Sequence, residues 1–282
     1  MTAPTPPAPT PAAPATPPVS ERPVPDISSR RAPGLGGLNP TILRIEVRRL
    51  TRNRRTLIFA IIAPVILLLL FGDNAVFVRD RIGEGNLSAF IMISVSLYGA
   101  TLATTAGGAM VSIERAAGWS RQLRLTPLTP VAYIVVKMLA AMVLGLVSVI
   151  VVFAVGRATG KAQLPGDLWF ATAACVWAGS VVFAAFGLFL GYLLPTENVM
   201  QFLGIIMALL SFGGGLFIPL TQFPTTVATI ARGTPLYGLN QLVHAPMLNQ
   251  GVHLAWVANV LIWLAIFVVG AAWQFRRDTA RV

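Results

Sequence analysis

Apolar residues fill this chain in long blocks, and polar residues gather in the gaps between them. Six blocks stand out, at 57–78, 87–113, 131–156, 168–194, 199–220 and 252–275. Each is long enough to cross a hydrocarbon core of ~30 Å as a helix, which takes about 20 residues. The first is the least clean, because Gly72, Asp73 and Asn74 interrupt it; it ends near Phe71 or tilts its last turn into the interface. Ahead of it the pattern changes to a helical period. Asn39 suits a helix cap and Pro40 the first helical position. At 100° per residue Leu43, Val47 and Leu50 form one stripe, with Arg44, Arg48, Arg52 and Arg55 opposite. A basic amphipathic helix over 39–56 that runs into an apolar block suits the cytoplasmic face of a bilayer.

Two gaps are more than plain connectors. After the second block, residues 114–125 read as a short helix with Trp119, Leu123 and Leu125 apolar and Arg115, Arg121 and Arg124 available to acidic groups. Pro127 and Pro130 stop it and turn the chain back into the membrane. Such a helix either moves as one rigid body between two spans or is an ordinary interfacial connector. After the fifth block, Gly213-Gly214-Gly215 loosens the helix end, and Pro219 and Pro224 punctuate the next ten residues or so. Residues 225–230 form a short helix-like stretch, and Pro235-Leu236-Tyr237 breaks it before a polar loop to Gly251. The region is too apolar for a free loop and too short to span. It reads as re-entrant or interfacial helices on the outer face, which cap a pathway or pack on the bundle.

Composition agrees with the blocks. Of 282 residues 55% are hydrophobic and 11% charged, against roughly 25% charged in soluble domains. That excludes a cytosolic enzyme and a disordered protein and argues for an all-α integral membrane protein. The first forty residues differ: they hold 12 of the 21 prolines, mixed with Ala and Thr. Residues 1–38 are expected to be a disordered cytoplasmic tail, not a signal peptide, because no apolar run follows the basic residues. The domain plan is therefore a tail over 1–38, the amphipathic helix over 39–56, a six-span domain over 57–275 and a basic tail over 276–282.

The net charge of +11 suits either nucleic acid or a topology signal, and the positions decide. Nine of the 21 cations precede residue 57, three lie between blocks two and three, three follow the last block, and Lys137 starts block three. Sixteen thus fall on one side; Arg79, Arg81, Arg157, Lys161 and Arg232 fall on the other. Both termini are expected in the cytoplasm, and no nucleic-acid partner is expected. Lys137, one turn into its span, is expected to snorkel to the interface. The span interiors otherwise hold no ionisable residue, which counts against a proton-coupled carrier, an intramembrane metalloprotease or an acid–base enzyme.

The remaining chemistry is thin. Cys175 is alone, so no internal disulfide or Cys-based metal site is expected, and it reads as a packing residue. His244 and His253 lack metal-ligand spacing and read as solvated or packing side chains. The run Gly156-Arg157-Ala158-Thr159-Gly160-Lys161-Ala162 has three residues between its glycines and no Ser or Thr after Lys, so it is not a phosphate loop.

Together these features resemble the permease subunit of bacterial type-2 ATP-binding-cassette (ABC) exporters, a group that includes drug-resistance and polyketide-antibiotic exporters. The resemblance spans residues 39–277. Its most specific part comes after the second block, where Glu114, Arg115, Gly118, Leu123, Thr126, Pro127 and Leu128 match the family's coupling helix, which docks on the ATPase. Ala116 and Arg121 replace acidic residues there. The resemblance implies an ATPase-binding set of Glu114, Arg115, Gly118, Trp119, Arg121, Leu123, Arg124, Thr126 and Pro127. A weaker signature covers Phe217, Pro219, Phe223, Pro224, Pro235 and Tyr237 in the outer region. The basic helix resembles the family's connecting helix.

It further implies a half-transporter: not itself an enzyme, with no cofactor or metal of its own, pairing with a second permease copy or paralogue and with ATPase subunits that bind ATP and Mg. The expected place is the bacterial cell membrane, multi-pass. The empty span interiors suit an apolar or amphipathic cargo such as a drug, antibiotic or lipid. The alternative is a membrane scaffold that holds a cytoplasmic partner with the same helix. Gly107-Gly108 and Gly187-x-x-x-Gly191 suit close helix packing within the chain or between copies.

Overall fold

The computed structural model describes residues 39–72, 75–118, 129–218 and 220–280. The described residues fold as an all-α membrane bundle carrying one hairpin of two-residue strands. Helix α1 spans Pro40–Arg52, with Asn39 Oδ1 accepting from the Thr41 N–H at 2.8 Å and Pro40 in the first turn. Its apolar stripe does not lie on lipid alone. Leu50 is buried, and Leu43 and Val47 pack with it against Ala103, Met110, Ala140 and Leu144. Arg44, Arg48 and Arg52 are exposed on the opposite side.

Helices α2 (Arg54–Gly72) and α3 (Ala75–Arg79) lead to the hairpin β1 (Arg81–Ile82) and β2 (Gly85–Asn86). Gly83 turns it with φ +56°, and Arg81 pairs with Asn86. Asn86 then caps α4 (Leu87–Ala109): its Oδ1 accepts from the Ala89 and Gln163 N–H groups, and its Nδ2 donates to Val78 and Lys161 carbonyls. One asparagine thus fastens the loops at this end. The run 156–162 is the C-cap of a span, with Gly160 left-handed at φ +67°.

Helix α4 is the centre of the bundle. It is buried on nearly every side, and its hydroxyls turn back onto carbonyls one turn earlier, as in Thr101 to Leu97 (2.9 Å) and Thr104 to Ala100 (2.9 Å). A one-residue break at Met110 separates it from α5 (Val111–Ala116). Helix α6 (Pro130–Thr159) is next, with Pro130 in its first turn and Thr129 Oγ1 accepting from the Ala132 N–H. The expected fourth span is two helices, α7 (Gly166–Gly179) and α8 (Val181–Leu193), bent at Ser180. Thr104 of α4 donates to the Ser180 carbonyl at 3.2 Å. Glycines set the α4–α8 distance: a Cβ on Gly108 would stand 2.5 Å from the Ala184 oxygen. The paired glycines therefore serve contacts within the chain. Cys175 is exposed on α7, a correction to its expected packing role.

Helix α9 (Thr196–Gly213) stops seven residues before the expected end of the fifth span, because Gly214 and a left-handed Gly215 (φ +77°) turn the chain. A 3-10 turn (Leu220–Gln222) leads into α10 (Thr225–Arg232). Pro235 was expected to break structure and does the reverse. It starts α11 (Pro235–His244), since its missing N–H costs nothing in a first turn. Helix α11 is mostly buried between α7 and α12 (Leu254–Ala280), with Gly238 against the Trp256 carbonyl and Gly179 under Leu239.

By length and composition, four helical segments among the described residues can cross a membrane: Leu87–Ala116, Val131–Thr159, Gly166–Leu193 and Leu254–Arg277. The first and fifth expected spans contain shorter apolar helices, Ile61–Gly72 and Gln201–Gly213.

Candidate functional site

Helix α5 is six residues long and carries the start of the sequence-predicted coupling segment. Its Glu114 points inward and is 2% exposed. Tyr133 Oη donates to Glu114 Oε2 at 2.8 Å, while Lys137 Nζ (2.5 Å) and Arg49 Nη1 (2.8 Å) reach Oε1. Lys137 also sits 2.5 Å from Glu46 Oε1 on α1, so one ammonium lies between the two carboxylates. Two carboxylates and two cations from α1, α5 and α6 thus balance. Lys137 does not snorkel: it is 4% exposed, held by two acids rather than by the interface.

Arg115 is also spent inside the chain instead of being offered to acidic groups. Its Nη1 donates to the carbonyls of Gly191 (3.1 Å) and Tyr192 (2.8 Å) at the end of α8, where a cation complements the helix dipole. It lies 5.4 Å over the Tyr192 ring, which meets Phe275 of α12 edge-on; Phe275 also packs against Tyr133. Helices α1, α6 and α8 therefore converge on the two residues that open the segment, and Phe275 of α12 packs behind their tyrosine partners.

The expected continuous helix over 114–125 is not formed. Helix α5 ends at Ala116, and Gly118 adopts φ +73° with its N–H on the Arg115 carbonyl, a left-handed C-terminal stop. Trp119, Arg121, Leu123, Arg124, Thr126 and Pro127 lie outside the described residues. Sequence reasoning missed Glu46, Arg49 and Tyr133. The available signal was Glu46, the one acid in the basic stretch 39–56.

At the opposite end of the bundle, α4, the turn after α9 and α11 enclose a cavity of about 340 Å³. Phe217 and Tyr237 from the outer signature line it; Pro224 and Pro235 instead start α10 and α11, and Pro219 lies outside the described residues. Phe223 closes the 3-10 turn, its N–H on the Leu220 carbonyl. His244, buried in its wall, stacks on Phe90 at 4.1 Å. Its Nδ1 lies 2.9 Å from the Asn240 carbonyl, and its Nε2 lies 3.1 Å from Ser94 Oγ and 3.4 Å from the Phe90 carbonyl, so both ring nitrogens have partners within the protein. Among the described residues no three of His, Cys, Asp or Glu gather to hold a metal ion.

The model of the ABC-2 family transporter protein matches residues 78–273. The chain belongs to this family. It is a transport permease subunit, a multi-pass membrane protein of a family whose members associate with an ABC ATPase. It is also similar to the protein named "Putative transport permease YvfS" of Bacillus subtilis (strain 168), 25% identical over 226 residues, 79% of this chain and 90% of that one. The match to the family takes in Glu114, Arg115, Tyr133 and Lys137 of the permease but starts after α1, so Glu46 and Arg49 lie before it.

Burial of His244 in the permease disfavours its charged form and lowers its pKa below the ordinary 6.5. Above that value both folded and unfolded histidine are neutral. As pH falls below it the unfolded chain takes up a proton first, so stability drops until the folded histidine also protonates. The detergent-purified permease should therefore melt at lower temperature at pH 5.5 than at pH 7.5, and His244→Gln should flatten this dependence in a melting series.

Proposed function

We propose that the chain is the membrane subunit of an exporter powered by a separate ATPase subunit, which binds ATP and Mg. The segment 114–130 is the ATPase-facing coupling element. The carrying observation is the inward clamp at its base: Glu114 and Arg115 tie it to α1, α6 and α8. In this reading those two residues are not docking contacts. They transmit force, while Gly118 and the residues after it meet the partner.

Six spans complete the topology. Helices α2 and α9 have 19 and 18 residues, about 28 Å and 27 Å of helix, close to the hydrocarbon thickness. Both termini and the charge clamp then face the cytoplasm of a bacterial cell membrane, with 16 of 21 cations on that side, and the cavity faces outward. The apolar stripe Phe202, Ile205, Leu209 and Phe212 is exposed along α9 and suits lipid or a second permease, identical or paralogous. An apolar or amphipathic cargo such as a drug, antibiotic or lipid fits spans whose buried charge is confined to one end.

The test is co-purification with the candidate ATPase and ATP turnover in lipid vesicles. Gly118 has open space around its Cα, so Gly118→Val should leave packing intact while straining the left-handed turn by about 1–2 kcal/mol. ATPase capture and stimulated turnover should fall together, and Arg124→Glu should weaken capture. Unchanged capture and turnover in both variants rejects the coupling assignment. Capture without any effect of the permease on turnover favours a scaffold instead.

A further inference from the structure

The outer cavity holds a polar atom that the protein leaves without a partner. Asn240 is 6% exposed and lines the cavity, and its Nδ2 donates to the Gly215 carbonyl at 3.0 Å. That bond fixes the amide orientation, because the reversed amide would set two oxygens against each other. Asn240 Oδ1 is then a buried acceptor with no donor. The neighbouring His244 is committed elsewhere, with Nδ1 at the Asn240 backbone carbonyl and Nε2 at Ser94 Oγ and the Phe90 carbonyl. Buried acceptors in native proteins are almost always satisfied, so an orphan in the wall of a cavity marks a place where an outside donor sits. Phe90, Phe217 and Leu220 form the apolar part of the wall, beside the polar Arg232, Tyr237 and Gln241, and the cavity volume falls at the small end of ligand sites.

We propose that this cavity is a binding site for a small amphipathic molecule with a neutral hydroxyl or amide donor on an aromatic or aliphatic body. The donor sits on Asn240 Oδ1 and the body lies between Phe90, Phe217 and Leu220. A cationic head is disfavoured, since Arg232 also lines the cavity and an unpaired buried charge is costly. The site belongs to this chain alone and does not rest on the coupling to an ATPase.

Equilibrium dialysis of the full chain in detergent, with empty micelles subtracted, tests it using β-naphthol and its methyl ether, which lacks the donor. β-Naphthol should bind about fivefold tighter than the ether. Asn240→Leu should remove that preference and leave the two probes equal. Gln241→Trp, which fills the cavity from its half-buried wall, should reduce both to the micelle background. If Asn240→Leu fails to fold, Gln241→Trp with the two probes on the parent chain carries the test. Equal binding of the probes to the parent, a preference surviving in folded Asn240→Leu, or parent-like binding by Gln241→Trp each overturns the proposal.

Discussion

Lys137→Met should lower the melting temperature of the purified permease by roughly 10 °C, the largest effect expected of any single substitution considered. Lys137 is the cation shared by Glu114 and Glu46, and the first of these carboxylates is fully enclosed. Removing it leaves Arg49, which reaches Glu114 at 2.8 Å but Glu46 only at 3.8 Å. One negative charge is then uncompensated in a buried site, and breaking a buried pair from one side costs about 3–5 kcal/mol. The same reasoning gives the control. Lys137→Met combined with Glu46→Gln restores neutrality and should recover much of the loss, because the unpaired charge rather than the lost bond is the main penalty. Thermal melts of the parent, both singles and the double variant measure the coupling. If the double variant is as unstable as the two singles added together, the residues do not act as a unit.

Gly187→Ala should destabilise the chain almost as much despite adding one methyl group. The new Cβ would fall well inside van der Waals distance of the Thr105 carbonyl oxygen, which is helix backbone and cannot rotate away as a side chain would. Helices α4 and α8 must separate, and overpacking of this kind costs about 1–3 kcal/mol or more. Gly204 of α9 provides the contrast, since nothing lies within 4 Å of its Cβ position. Gly204→Ala should be neutral or stabilise by up to about 1 kcal/mol, because alanine loses less freedom on entering a helix. Comparable melts for the two alanine variants reject the close contact between α4 and α8.

The apolar pattern locates the long helices, although the helix of the fifth block stops seven residues early and the fourth block holds two helices, and Asn39-Pro40 predicts the start of α1. Those features are local: a cap or an apolar run acts through neighbours in the chain. The breaks were less legible. Gly179-Ser180 breaks the fourth span inside an otherwise apolar run, and Thr104 of another helix adds a side-chain bond to a Ser180 carbonyl that already accepts from the Phe183 and Ala184 N–H groups. Pro235 reads equally well as a stop or a start, and burial of α11 against α12 selects the start.

Of the predicted coupling residues, Glu114, Arg115 and Gly118 lie in the described part, and the structure gives them different tasks: two anchor the segment and one ends its first helix. Periodicity shows which face of its own helix a charged side chain occupies, but not what stands opposite. Glu46 and Lys137 are 91 residues apart in sequence and belong to different helices. The sequence by itself determined that this is a membrane protein, where its long apolar helices run and which family it resembles, because apolar length and short motifs are properties of contiguous residues. Only the tertiary structure decided that the apparently isolated Lys137 is a shared counter-ion, that the paired glycines seat α8 on α4, and that Asn240 is left with an unmet acceptor. Each depends on distances between helices, and the cost of burying an unpaired charge or polar group makes those distances matter.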